Sequence, residues 1–267
     1  MNCNVCGHLV MDSDTFCYSC GKPLTVSEVQ TVGGFEDVPG VVPWRAGEVA
    51  VGIFVILAYS SLVGGIWHLI ENWVRRYPEA IATWGFSHLV GLAILVVVWR
   101  LGLHPRRLSL SSLGFVRPIT TRLTTGGLAV LVLAASLLFV GLYSLLTRHL
   151  GWSVLMLPVY PPEMVFPGLG ALATIEALVV WTPIMEEIFF RRFVFAGLTP
   201  RLGIPRAIVV SALVFSAFHI VPGVLVPTFV TGMLLAWLYH RTGSLWPGIV
   251  AHAGVNALAV SGLILGG

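Results

Sequence analysis

Cysteine does not occur beyond residue 20, and lysine occurs once, at Lys22. Every aspartate (Asp12, Asp14 and Asp37) also lies near the N-terminus, which excludes an aspartyl protease site among the apolar segments that follow. Cysteine nucleophiles and disulfides are excluded from those segments for the same reason. No histidine is followed by glutamate, so the H-E-x-x-H zinc helix is absent. Charge of either sign is scarce, at 10% of 267 residues with 57% hydrophobic, against roughly 25% charged in a soluble domain. That balance indicates a multi-span membrane protein. The net charge of +3 comes from arginines scattered between apolar stretches, a poor surface for nucleic acid. No basic start leads into an apolar run, so no cleaved signal peptide is expected.

The four cysteines, Cys3, Cys6, Cys17 and Cys20, have C-x2-C-x10-C-x2-C spacing. Each pair places two thiolates on one tight knuckle, and two knuckles complete a tetrahedral S4 site for structural zinc. Two disulfides in an exported tail are the alternative. Residues 1–24 are thus expected to be a zinc ribbon, similar to short ribbons at bacterial N-termini and too small to fold without metal. Residues 25–43, with Gly33-Gly34 and Pro39-Gly40, read as a flexible linker. Residues 44–267 form the membrane domain.

That domain offers seven apolar stretches, at 46–70, 81–103, 121–147, 168–198, 204–221, 223–240 and 244–264. Each is near or above the ~17–25 residues that cross a bilayer. The expectation is an all-α polytopic membrane protein of about seven transmembrane helices behind the ribbon. The fifth and sixth stretches, split by Val221-Pro222-Gly223, are short enough to be a re-entrant pair instead. With the N-terminus in the cytoplasm, twelve basic residues fall on inside segments and only Arg75, Arg76 and Arg148 outside, which sets an N-in, C-out orientation. This keeps the cysteines in a reducing compartment and favours zinc over disulfides. The basic and apolar segment Arg106 to Arg117 reads as interfacial. Trp44, Trp67, Trp73, Trp152 and Trp246 read as an aromatic belt.

A charge at bilayer depth costs about 2.5–3.5 kcal/mol on insertion scales, yet Glu186 and Glu187 sit side by side in the fourth stretch. At about 1.5 Å per residue, Glu186 lies about 18 Å, His219 about 22 Å and His252 about 12 Å from the cytoplasmic ends of their stretches. Three helices therefore carry rare polar groups to one middle layer. Glu187 and Arg191 are i,i+4 and should pair. Glu186, about 100° around the helix, is left as the acid without a local partner, suited to taking and returning a proton. His252 and Asn256 share a face, where one could hold a metal or water and the other donate to an oxyanion. Pro183 weakens the fourth helix and can open room for water. Glu176, nearer the outer face, reads as a packing or cavity-mouth residue. His68, His88, His104, His149 and His240 read as interfacial or packing residues.

Three motifs make the pattern specific. Glu186-Glu187-Ile188-Phe189-Phe190-Arg191 is E-E-x-x-x-R, and Phe215-Ser216-Ala217-Phe218-His219 is F-x-x-x-H. Thr242 to Asn256 (TGSLWPGIVAHAGVN) carries H-x-x-x-N behind a T-G-S-L-W-P entry. In order and spacing, residues 168–260 resemble the CAAX prenyl endopeptidase and bacteriocin-processing (CPBP, or Abi) family. Arg192 departs from the glycine that many members have after the motif arginine. The resemblance implies an intramembrane endopeptidase in which Glu186 and His219 activate water. His252 and Asn256 then bind the oxyanion or help hold a metal, with Glu187, Arg191 and Phe215 in support. Two histidines and a carboxylate (Glu186, His219, His252) suit a catalytic zinc; one carboxylate, one imidazole and an amide suit a metal-free reaction.

The expected setting is a bacterial cell membrane. The partners expected are the lipid bilayer, a peptide or membrane-protein substrate, and a cytoplasmic protein for the ribbon. Two other functions compete: a non-proteolytic immunity or scaffold protein of the same fold, and a proton- or cation-coupled transporter using Glu186 and Glu176. A scaffold needs neither His219 nor Asn256, and the chain shows no convincing internal repeat of the kind transporters are built from.

Overall fold

The structure, a computed structural model, describes residues 42–74, 79–158 and 169–265, and residue 17. The expected cysteine module and linker therefore lie outside the described residues, apart from the buried Cys17 and the last two linker positions. All regular structure among the described residues is helical.

Among the described residues, seven long helical segments follow one another. Helix α1 is Ala46–Val74. Helix α2 begins as Glu79–Val97 and continues through a π-helical stretch, Val98–Leu103, and a 3-10 turn, His104–Arg106. Helix α3 is Arg122–His149. Helix α4 is composite: Leu169–Ile175 is α, Glu176–Trp181 is π, Thr182–Glu186 is α, Glu187–Phe195 is π, and Ala196–Leu202 is α. Helices α5, α6 and α7 are Ile204–Ala217, Pro222–Thr242 and Leu245–Leu265. Gly203, at φ 74° and ψ 162°, lets the chain turn from α4 into α5 in a region open essentially to glycine alone.

Length and composition separate these helices. Four contain runs long and apolar enough to cross a membrane: Ala46–Leu69, Thr83–Arg106, Arg122–His149 and Pro222–Thr242. Ile204–Ala217 and Leu245–Ser261 are apolar but shorter. At about 1.5 Å per residue, α5 rises about 21 Å, short of the ~30 Å hydrocarbon core. The fifth stretch does not continue to residue 221 as a helix; it stops at Ala217, and His219 lies in the turn beyond. Pro222 cannot donate a backbone hydrogen bond into the preceding turn, so a new helix begins there instead.

The most polar helix is the most enclosed. Every residue of the π stretch Glu187–Phe195 is buried, because the other helices close around it and spare its charges contact with lipid. Phe193 meets α1 at Gly52, and Trp181 and Met185 meet α2 at Gly91. Phe189 and Phe190 pack edge-on against Phe215 and Phe218 at the end of α5. Arg192 donates from Nη1 to the Tyr239 hydroxyl of α6 at 3.0 Å, and from Nε to the Ser112 carbonyl at 2.8 Å. Helix α3 stands outside this shell, with Val132 packed against Leu235, Leu238 and Ala251.

One end of the bundle is tied by polar contacts that follow from the T-G-S-L-W-P entry. Gly243 ends α6 at φ 64°. The buried Ser244 hydroxyl donates to the Val116 carbonyl at 2.6 Å, and the Leu245 amide donates to the Gly114 carbonyl at 3.1 Å. At the start of α1, Glu48 takes an ion pair from Arg106 at the end of α2 (2.6 Å), so these helices are antiparallel. Trp44 is not part of an exposed belt. It is fully buried and donates from Nε1 to the Phe193 carbonyl at 2.9 Å.

Candidate active site

Glu186 and Glu187 fall at the junction where α4 passes from its short α segment into the second π stretch. Glu187 is fully buried. Its Oε1 lies 3.2 Å from Arg191 Nη2, the i,i+4 pair expected from spacing, and also 3.1 Å from His252 Nδ1 on α7. The Arg191 contact is an ion pair rather than an aligned hydrogen bond, since all three guanidinium nitrogens lack hydrogen-bond partners. That cation instead lies over the Phe215 ring, 4.6 Å from its centroid. The remaining oxygen, Glu187 Oε2, is buried without a partner, facing the backbone of Gly248.

His252 lies between the two carboxylates. A carboxylate oxygen accepts, so Nδ1–H donates to Glu187, while Nε2 is 3.5 Å from Glu186 Oε2. Glu186 is partly exposed, with about a fifth of its side chain accessible, whereas Glu187 is sealed. The two adjacent acids therefore differ in surroundings: one is enclosed and ion-paired, the other open at one side.

His219 sits two residues past the end of α5, where its Nδ1 is 3.0 Å from the Phe215 carbonyl. That carbonyl can only accept, so Nδ1 carries the proton and Nε2 is left as the acceptor. Phe215 joins the parts: its ring contacts His219 at 4.9 Å and His252 at 5.8 Å. The next residue, Ile220, has φ 55°, a strained conformation for a β-branched side chain and of a kind that concentrates at functional sites.

Asn256 is held by a device that spacing alone did not reveal. In the first π stretch of α4, the Thr182 amide donates to the Ala177 carbonyl, five residues back. The next donor in that register would be residue 183, and Pro183 has no N–H. The Leu178 carbonyl is left without a backbone donor, and Asn256 Nδ2 supplies one at 2.8 Å. One amide hydrogen is thereby fixed and the other remains available to a ligand.

The structure thus brings Glu186, Glu187, Arg191, Phe215 and His252 into one cluster, with His219 against Phe215 and Asn256 one turn beyond His252. It pairs Glu186 with His252 rather than with His219. Residues 168–258 match a protein family described as Type II CAAX prenyl endopeptidase Rce1-like. That is the part of the chain that holds the cluster. A Bacillus subtilis (strain 168) protein named "Putative membrane peptidase YdiL" is 33% identical over 78 residues, which cover 29% of this chain. The match spans about a third of that relative's length, 32%. No solved structure matches.

Of the residues expected to hold an active-site metal (Glu186, His219 and His252), each histidine commits Nδ1 to an acceptor and leaves Nε2 for a ligand, the usual arrangement of a metal-ligating imidazole. Among the described residues no group of three His, Cys, Asp or Glu side chains is placed to hold an ion.

Sequence reasoning undervalued three residues here. His88, read as an interfacial or packing residue, and Glu176, read as a packing or cavity-mouth residue, face each other at 3.4 Å. The signal was an acid and an imidazole in neighbouring apolar stretches. Arg192, read as a change of local packing, ties α4 to α6 and to the loop at Ser112.

Proposed function

We propose that the protein is an intramembrane endopeptidase that hydrolyses peptide bonds of a peptide or membrane-protein substrate. The observation that carries this reading is the asymmetric glutamate pair around His252. Glu187, neutralised by Arg191, orients the ring through Nδ1. This turns Nε2 toward the partly open Glu186.

In this reaction a water beside Glu186 gives its proton to that carboxylate as its oxygen attacks the scissile carbonyl carbon. His219 Nε2, an acceptor, orients the water. Charge develops on the former carbonyl oxygen, where the free amide hydrogen of Asn256 donates to it, as does the Nε2–H of His252 in the imidazolium form that also keeps Nδ1–H on Glu187. Collapse of the tetrahedral intermediate breaks the C–N bond, and the proton held by Glu186 passes to the departing amine. Each role uses a hydrogen-bonding direction that the neighbouring residue fixes. The match of residues 168–258 to a CAAX endopeptidase family supports the same reaction class.

The test incubates purified full-length protein in detergent with a library of membrane-segment peptides, beside Glu186→Gln. Cleavage by the wild type and none by the variant is expected. Equal cleavage by both overturns the assignment and leaves a non-proteolytic scaffold.

We also propose that Cys3, Cys6, Cys17 and Cys20 bind one structural zinc and present the ribbon to a cytoplasmic partner. Native mass spectrometry finding no zinc in the intact chain would reject this. An N-in, C-out orientation predicts that a C-terminal reporter requiring export is active, and a reporter active only in the cytoplasm would reject it.

A further inference from the structure

We infer that Glu176, His88, Trp84 and Trp181 form a clamp that positions Asn256 by holding the first π stretch of α4 in register. The inference rests on the peptidase reading for its functional consequence, and on geometry alone for its structural one.

The clamp grips both ends of Glu176–Trp181. At the first residue, Glu176 Oε2 accepts from Trp84 Nε1 at 2.8 Å and faces His88 Nε2 at 3.4 Å. At the last, Trp181 Nε1 donates to the Ser87 carbonyl at 3.1 Å. The His88 ring is stacked between the two indoles, with centroids 4.0 Å from Trp84 and 4.6 Å from Trp181. Its Nδ1 donates to the Trp84 carbonyl at 2.8 Å, which fixes the ring within the stack. Helix α2 can approach this closely because residue 91 is glycine: a Cβ there would lie 2.3 Å from Trp181 Nε1.

What the clamp controls is the choice of carbonyl. In an ordinary α register the Thr182 amide would reach the Leu178 carbonyl, four residues back. Pro183 would then leave the Val179 carbonyl without a donor, about 100° around the helix. In the observed π register the unsatisfied carbonyl is that of Leu178, and it meets Asn256 on α7. Anchoring both ends of the stretch to α2 favours the longer turn. The part of α4 held against α2 thus determines where the Asn256 amide points.

The clamp residues are positioning residues, and the test must separate positioning from general stability. Kinetics use the peptide whose cleavage depends on Glu186. Glu176→Ala is expected to lower kcat by about tenfold to a hundredfold, the scale of a small misplacement of a reacting group, with KM little changed. Glu176→Gln keeps an acceptor for Trp84 and is expected to restore most of kcat. Within an Asn256→Ala background, Glu176→Ala should add almost nothing, because its effect runs through that amide. Trp84→Phe keeps the stack and removes only the N–H donor, so it serves where Glu176→Ala folds poorly, with the same expected loss. A full additive loss in the Asn256→Ala background overturns the inference.

A second measurement needs no substrate. The side-chain amide resonances of Asn256, identified as the pair missing from Asn256→Asp in detergent, should move in Glu176→Ala and Trp84→Phe and stay in place in Glu176→Gln. Unmoved resonances in both disruptive variants overturn the clamp whatever the protein cleaves. Moved resonances in a protein that cleaves nothing uphold the clamp and reject the peptidase reading alone.

Discussion

His252 donates from Nδ1 to Glu187 Oε1 at 3.1 Å, joining α7 to the sealed acid of α4, while its Nε2 lies 3.5 Å from the open one, Glu186. The adjacent glutamates therefore have unequal consequences when changed. Glu187→Gln leaves Arg191 fully buried with no formal counter-charge in contact. Breaking a buried pair from one side costs about 3–5 kcal/mol. The expected outcome is a lower folded yield by size-exclusion chromatography and a lower Tm. Glu187→Gln with Arg191→Met should recover much of the yield while cleavage stays low, since His252 lacks its orienting carboxylate.

The other cluster residues should lose chemistry before they lose fold. His252→Ala removes an oxyanion donor, and His219→Ala removes the acceptor that orients water. Both are expected to abolish detectable cleavage with membrane insertion unchanged. Asn256→Ala should lower kcat by about 10²–10³, the typical effect of removing one oxyanion donor. Single-turnover cleavage beside thermal unfolding separates the two effects. An Asn256→Ala enzyme at wild-type rate would remove the amide from the mechanism.

Gly248 lies one turn before His252, and a Cβ there would sit 2.8 Å from Glu187 Oε2. Gly248→Ala is expected to push α7 away from the buried carboxylate and lengthen the His252 contact. Overpacking of this kind costs about 1–3 kcal/mol. The check is a fall in Tm together with a loss of cleavage, whereas Gly47→Ala at an open helical position should leave both unchanged.

Pro183→Ala restores the backbone donor that the π register lacks. The new amide should compete with Asn256 for the Leu178 carbonyl, freeing the side chain to rotate. A helix interior ordinarily gains from replacing proline, by about 3 kcal/mol where the ring breaks a bond. The expected result is therefore unchanged or higher Tm with lower kcat. A gain in both would show that the Leu178 contact does not direct the amide.

Periodicity and the cost of buried charge determined much of this protein from its sequence. A chain with so few charges must place them where they pair, so Glu187 and Arg191, one helical turn apart, were legible as partners. The three motifs single out Glu186, His219, His252 and Asn256. What only the tertiary structure decided are the contacts across helices. These include His252 lying against both glutamates, His88 facing Glu176, and Trp44 turned inward to the Phe193 carbonyl. Such contacts depend on which helix faces α4 and how closely glycine lets it approach. They depend also on two π stretches that shift the faces of α4, and a 3.6-residue pattern carries none of that information. The end of α5 at Ala217 belongs to the same group. An apolar run does not tell a helix from the turn after it, and the backbone turned where the strained Ile220 follows His219.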